Sequence, residues 1–297
     1  MEPRRRAALF VRRGGLGDTL LIAPVLAAWR MRVAARHGSD VSLHVAGVRE
    51  FADVLARYGA CDAAFSSEDL EIFALTSGGE RGARAKARFA RYCAVVGDDP
   101  ALMRCGVADV AIYDPRPRDE RTSLSAQIAP QLGLELPSSP FVLGNGRRAK
   151  CGRRGAIVIA PGSGAPQKCW PRDRWIELAS WLIANGEHID VVVGPTESER
   201  DDPRRWPWTV PVRFVVDRSC SEVAAELERA AAFVGNDSGV THLASMLGVP
   251  TVAVFGGGLP RVYAPIGSRT EVIVTDGQFP PKATVDGVSA ALTRVRR

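Results

Sequence analysis

The sequence predicts an α/β protein built from two parallel-sheet domains, on three observations. Short apolar runs rich in Val, Ile and Ala alternate with segments of helical spacing, the pattern of strands covered on both faces by helices. The chain has 297 residues, and single cores stop growing at about 250–300 residues. Near its middle, residues 144–155 (GNGRRAKCGRRG) combine turn residues and charge with almost no apolar content, the composition of a linker. The expected domains are 1–148 and 149–297.

In the first half, residues 7–12 read as a strand, 19–36 as a helix and 41–46 as the next strand; 50–58 then read as a helix and 107–113 as a late strand. The second half is clearer. Strands are expected at 156–160, 189–193, 212–216, 233–235 and 251–255, with helices at 172–185, 220–232 and 239–247. Two such domains are expected to leave a cleft lined by the carboxyl ends of strands, the usual ligand position in open α/β sheets.

Composition narrows the class. The chain is 46% hydrophobic and 24% charged, which excludes collagen-like, low-complexity and disordered readings. The net charge of +6 sits mainly in residues 1–150, where 22 Lys and Arg face 17 Asp and Glu. Only Lys86, Lys150, Lys168 and Lys282 are lysines, so in this Arg-rich background a Lys in a motif is the more informative cation. The six cysteines (61, 93, 105, 151, 169 and 220) form no metal-ligand or redox spacing and read as small apolar residues of a reducing compartment. No metal site is expected. The start, MEPRRRAALFVRR, is too short in apolar residues for a signal peptide, and the longest apolar run, 20–29, is about half a membrane span. A soluble cytoplasmic chain is expected.

Three strand-to-helix junctions carry chemistry. The first is GGLGDTL (14–20). Gly15 and Gly17 allow close backbone approach at a helix start, and Asp18 is either a helix cap or a general base. The glycine spacing matches neither a P-loop nor GxGxxG. The second is APGSGAPQKCWP (160–171), where Ser163 and Lys168 suit a diphosphate, Lys168 reading otherwise as a solvated loop residue; Trp170 and Trp175 are expected to pack. The third is VGNDSGVTHLASMLGVPTVAVFG (234–256). Here Asp237, Ser238 and Gly239 open a helix and read either as a cap or as a second anion or polyol site, and His242 one turn inside reads either as a ligand contact or as a core histidine.

In this order and spacing the three motifs resemble glycosyltransferase family nine, the ADP-heptose:lipopolysaccharide heptosyltransferases. The resemblance is strong over 8–27 and 156–267. It departs from the family pattern at Ile22 and in FGGGLPRVYAPIG. It implies a GT-B fold, two Rossmann-like domains with parallel sheets facing a central cleft, the acceptor bound by the first and the donor by the second. By the same resemblance Asp18 is the general base and Ser163, Lys168, Asp237, Ser238, Gly239 and His242 bind the donor. Glu197 in VGPTESE matches an acidic position suited to the nucleotide ribose. The implied reaction is inverting transfer of heptose from ADP-heptose, a co-substrate, without metal; the absence of a DxD triplet agrees.

Residues 81–92 (RGARAKARFARY) hold five basic residues and no acid. As one helix they would align Arg81, Arg84, Arg88 and Arg91 on a face suited either to solvent or to an anionic glycolipid acceptor at the inner membrane surface. Nucleic acid is not an expected partner, because no recognition motif accompanies the charge. The rivals are the same fold with another nucleotide sugar or a glycan or protein acceptor, a non-catalytic nucleotide-sugar-binding homologue, and a dehydrogenase.

Overall fold

The computed structural model describes residues 6–137, 141–144, 155–257, 259–275 and 281–297. The chain divides into two compact units, Met1–Ser139 and Pro140–Arg297; the expected junction at 148/149 lies outside the described residues, as does Cys151.

In the first unit β1 (Ala7–Val11) leads to α1 (Leu16–Leu21) and α2 (Ala23–His37), followed by β2 (Ser42–Gly47) and α3 (Arg49–Arg57). Next come β3 (Ala63–Ser66), α4 (Gly79–Phe89), β4 (Tyr92–Gly97), β5 (Asp109–Ile112) and α5 (Leu124–Gln131). The strands form one parallel sheet ordered β3-β2-β1-β4-β5, with Leu9 level with His44 and Val95. All five residues of β1 are buried, as an unbroken apolar strand at the centre of a covered sheet must be. The helix expected over 19–36 starts earlier and is split at Ile22. Pro24 accounts for the break: it opens α2, having no N–H to donate to a preceding turn. Residues 63–66 and 92–97 are strands that the sequence reading did not assign.

The second unit holds β6 (Ile157–Ala160), α6 (Arg172–Ala184), β7 (Ile189–Val193), α7 (Pro195–Arg200), β8 (Arg213–Val216) and α8 (Cys220–Leu227). β9 (Ala232–Asn236), α9 (Gly239–Met246), β10 (Thr251–Phe255), α10 (Pro260–Tyr263), β11 (Thr270–Val274) and α11 (Val285–Arg296) complete it. Its parallel sheet runs β11-β10-β9-β6-β7-β8. Trp170 and Trp175 are buried in its core in an edge-to-face pair with centroids 5.0 Å apart. Each indole N–H is satisfied by a carbonyl, of Ala283 and Trp170 respectively.

Each sheet has one point where chain order reverses, between β1 and β4 in the first and between β6 and β9 in the second. Loops leaving the carboxyl ends of those strands diverge there, which opens a crevice for a ligand. Among the described residues no helix is long and apolar enough to cross a membrane.

Candidate functional site

The two reversal points collect Asp18 in the first unit and Ser163, Lys168, Asp237 and Ser238 in the second. In the first unit, β1 ends at Val11 and the next residue, Arg12, is only 3% exposed. Its Nη2 lies 3.0 Å from Oδ1 of Asp18, and its Nη1 donates to Oδ2 of Asp98 at 2.9 Å. Burial alone would lower the Arg12 pKa; the carboxylates of Asp18 and Asp98 override it and hold the guanidinium above its usual value. Burial pushes the Tyr113 phenol up, keeping it neutral.

Asp18 is not the N-cap of α1. Gly15 is, and Asp18 is the third residue of the helix, where Oδ2 accepts the Gly15 N–H at 3.1 Å. With 39% of its side chain exposed, the carboxylate is fixed at both oxygens and still open to solvent. Gly14 makes this possible: a Cβ there would stand 2.9 Å from Cβ of Asp18. Gly17 lies within α1. The sequence reading missed Arg12, Asp98 and Tyr113.

In the second unit the loop after β6 and the turn after β9 are tied together. Ser163 Oγ donates to the Asp237 carbonyl at 2.7 Å, and Lys168 Nζ donates to Asp237 Oδ2 at 2.8 Å. Lys168 ends a 3₁₀ turn, Pro166–Lys168, with 38% of its side chain exposed. Asn236, which is fully buried, spans the loop: Nδ2 donates to Pro161 O at 2.6 Å and Oδ1 accepts the Trp170 N–H at 3.0 Å. Ser238 is the N-cap of α9 and Gly239 its first residue. The Ser238 hydroxyl bonds Thr241 Oγ1 at 3.1 Å rather than capping a backbone N–H. His242 is buried one turn in.

Glu197 repeats the role of Asp18. It is the third residue of α7, and Oε2 accepts the Gly194 N–H at 3.0 Å. Its carboxylate lies directly over Gly162, where a Cβ would come within 1.9 Å of Oε1. Beside it a pocket of about 130 Å³ is lined by Gly162, Ser163, Trp170, Glu197, Arg200 and Trp206 among others. Two indoles and a carboxylate around one small cavity suit a flat ring carrying hydroxyl groups.

The basic stretch is only partly a stripe. Arg81, Arg84 and Arg88 share the exposed side of α4, opposite buried Gly82, Ala85 and Phe89, but Arg91 lies beyond the C-cap, Ala90. Arg81 stacks 5.0 Å over Phe73, and Arg88 pairs with Glu71 at 3.3 Å. Arg91 is held between the Phe65 and Tyr92 rings, 5.0 and 4.9 Å from their centroids. Local packing thus engages three of the four. Burial raises the thiol pKa of Cys61, to about 12, and those of Cys93, Cys105 and Cys169, so none of these four is poised as a nucleophile. Among the described residues no three His, Cys, Asp or Glu side chains converge on a metal position.

The sequence model of glycosyltransferase family 9 (heptosyltransferase) matches residues 124–289, more than half of the chain. The chain belongs to glycosyltransferase family 9. Curated relatives include lipopolysaccharide heptosyltransferase 2 of Escherichia coli K12, 28% identical over 130 residues, a match covering 40% of this chain and 36% of that protein. Lipopolysaccharide heptosyltransferase 3 of the same strain is 26% identical over 104 residues, 34% of this chain and 30% of that one. These matches span about a third of the relatives' length. The solved structure of E. coli heptosyltransferase WaaC with ADP is similar over 97% of this chain and 99% of that one, with a TM-score of 0.72 at 18% identity. The family 9 fold, two parallel-sheet α/β domains of GT-B type, is therefore the fold of this chain.

Proposed function

We propose that this family 9 protein is a glycosyltransferase that moves a heptose from ADP-heptose to an anionic acceptor of the lipopolysaccharide core type. The observation that carries the reading is the Lys168–Asp237–Ser163 constellation at the reversal point of the second sheet, beside a pocket edged by Glu197. Lys168 and the N–H groups opening α9 offer positive charge to a diphosphate. The pocket suits adenine, and Glu197 suits the ribose hydroxyls. Asp237, Ser238 and His242 remain for the sugar. The names of the curated relatives support heptose and lipopolysaccharide, and the ADP of the WaaC structure supports the base.

Asp18 takes the proton of the acceptor hydroxyl. The oxygen forms its bond to the anomeric carbon as the bond to the diphosphate breaks, and that electron pair leaves with ADP. A single displacement of this kind inverts the anomeric centre. Charge on the departing diphosphate falls to Lys168 and the backbone donors, and the chain lacks the DxD triplet that would bring a divalent cation to it. An acceptor of this class places the enzyme at the cytoplasmic face of the inner membrane as a peripheral protein. Exposed Arg81 and Arg84 on α4 support contact with anionic groups there.

Thermal-shift titration with ADP, UDP, GDP and NAD tests the donor, and ADP release from ADP-heptose with a heptose-deficient lipopolysaccharide tests transfer. Stabilisation by ADP above the other three, with ADP release that needs the acceptor, is expected. Preference for UDP or GDP would establish another donor, and ADP binding without turnover on any glycan would establish a binding homologue. Lys168→Ala should weaken ADP binding about 10–100-fold, the worth of a charged hydrogen bond of roughly 1.5–3 kcal/mol. Gly162→Ala should displace Glu197 and weaken ADP more than inorganic pyrophosphate, which lacks the ribose. Equal losses for the two ligands in calorimetric titrations would remove Glu197 from the nucleoside site.

A further inference from the structure

Arg12 carries a full charge into the buried base of the first crevice, and it meets two carboxylates where one would neutralise it. Asp98 is the more buried of the two, with 3% of its side chain exposed, and it also accepts the Arg13 N–H at 3.1 Å. The cluster of Arg12, Asp98 and Asp18 therefore has one negative charge in excess. Protonating Asp18 leaves a neutral group with the Arg12–Asp98 pair intact. Salt-bridged to a lone arginine, a carboxylate resists protonation, because the proton would strand a buried cation; the second carboxylate removes that cost.

We propose that Arg12 and Asp98 are a positioning pair for Asp18: Arg12 holds the carboxylate by Oδ1 against the Gly15 N–H on Oδ2, and Asp98 keeps Arg12 compensated when Asp18 receives the acceptor's proton. This rests on the reading of Asp18 as the proton acceptor. Each carboxylate oxygen has a second lone-pair site, so anchoring at both leaves room for the incoming hydroxyl. The remaining charged groups around the cluster are peripheral. Arg13 Nε is 3.8 Å from Asp98 and its Nη1 is paired with Asp99 at 2.9 Å. On α3, which packs against α1, Arg49 is paired with Asp53 and Glu50 is exposed. Tyr113 stays neutral.

The test is the sign of two opposed shifts in the acid limb of the kcat/KM profile, read as ADP release from ADP-heptose with heptose-deficient lipopolysaccharide. Arg12→Met removes the cation and leaves Asp98 facing Asp18, so the limb moves to higher pH, and turnover falls about 10²-fold from misplacement of the base. Asp98→Asn removes a like charge, so the limb moves to lower pH. Arg12→Lys keeps the cation and leaves the limb near its wild-type position at reduced turnover. A carboxyl ¹³C titration of Asp18 in the same variants should move in the same directions. A merely structural role would lower turnover without opposed shifts, so two unmoved limbs, or two moving the same way, would overturn the proposal. Asp98→Asn and Arg12→Lys preserve the test should Arg12→Met not fold, and ADP-induced stabilisation reports folding in each. Wild-type turnover in Asp18→Asn overturns the base assignment itself; an inactive Asp18→Asn with unmoved limbs overturns only the positioning role.

Discussion

Asp18→Asn is expected to lower turnover by about 10²–10⁴-fold, the usual contribution of a positioned general base, while ADP binding stays close to wild type and the variant still folds. The substitution is nearly isosteric. An amide oxygen can still accept the N–H of Gly15, now 3.1 Å from Oδ2, but it cannot take a proton from an acceptor hydroxyl. The ion pair lost to Arg12 joins a partly exposed carboxylate to a guanidinium with only 4% of its side chain exposed, so stability should fall by about 1–3 kcal/mol, the cost of a buried donor left without its acceptor. Arg12 keeps its partner in Asp98. The donor residues belong to the other unit, so affinity for ADP should not change. The measurements are kcat from ADP release, Tm, and Kd for ADP by calorimetry. Full turnover in the variant would remove Asp18 from the reaction. A parallel loss of ADP affinity would mean that the change spreads beyond the base.

What could be read from the sequence depended on how local each feature is. Strands β6, β7, β9 and β10 are buried apolar runs closed by turn residues, and their expected and observed positions differ by two residues at most. Ser163, Asp237 and Ser238 were found because each lies within three residues of such a strand end, where the backbone leaves side chains at the crevice, and Lys168 because it is a rare lysine in the loop that follows β6. By contrast, β4 begins at the last residue of the charged RGARAKARFARY stretch, and the five residues that follow were given no element. Asp98 follows β4, so missing the strand hid the carboxylate. Arg12 was lost differently. Among 39 basic residues an arginine after a strand looks like background, and only the fold brings Asp98 to it from 86 residues away. The basic stripe failed at Arg91 because helical spacing was extended past Ala90, where the helix stops.

Asn236→Ala is expected to destabilise the second unit by about 3 kcal/mol, the cost of leaving two buried backbone groups unsatisfied at roughly 1–3 kcal/mol each. The side chain closes the loop that carries Ser163 and Lys168 by bonding both its ends, the carbonyl of Pro161 and the N–H of Trp170, at 2.6 and 3.0 Å. Pro161, Trp170 and Asn236 are all buried, so water replaces these bonds poorly. For a unit of roughly 150–250 residues each kcal/mol lowers Tm by about 2–4 °C, so a fall of about 6–12 °C should be seen. Weaker donor binding should follow at temperatures where the variant is still folded, since Lys168 would lose the frame that aims it at Asp237. Asn236→Asp separates the two bonds. It keeps an acceptor for Trp170, gives up the donor to Pro161 and places a carboxylate against a carbonyl oxygen, so it should be at least as destabilised as Asn236→Ala at neutral pH. It should recover part of that loss in acid, where the protonated carboxyl can donate again. An unchanged Tm in Asn236→Ala would show that the loop is held by the packing of Trp170 and Trp175 instead, and the fall in ADP affinity should then be absent as well.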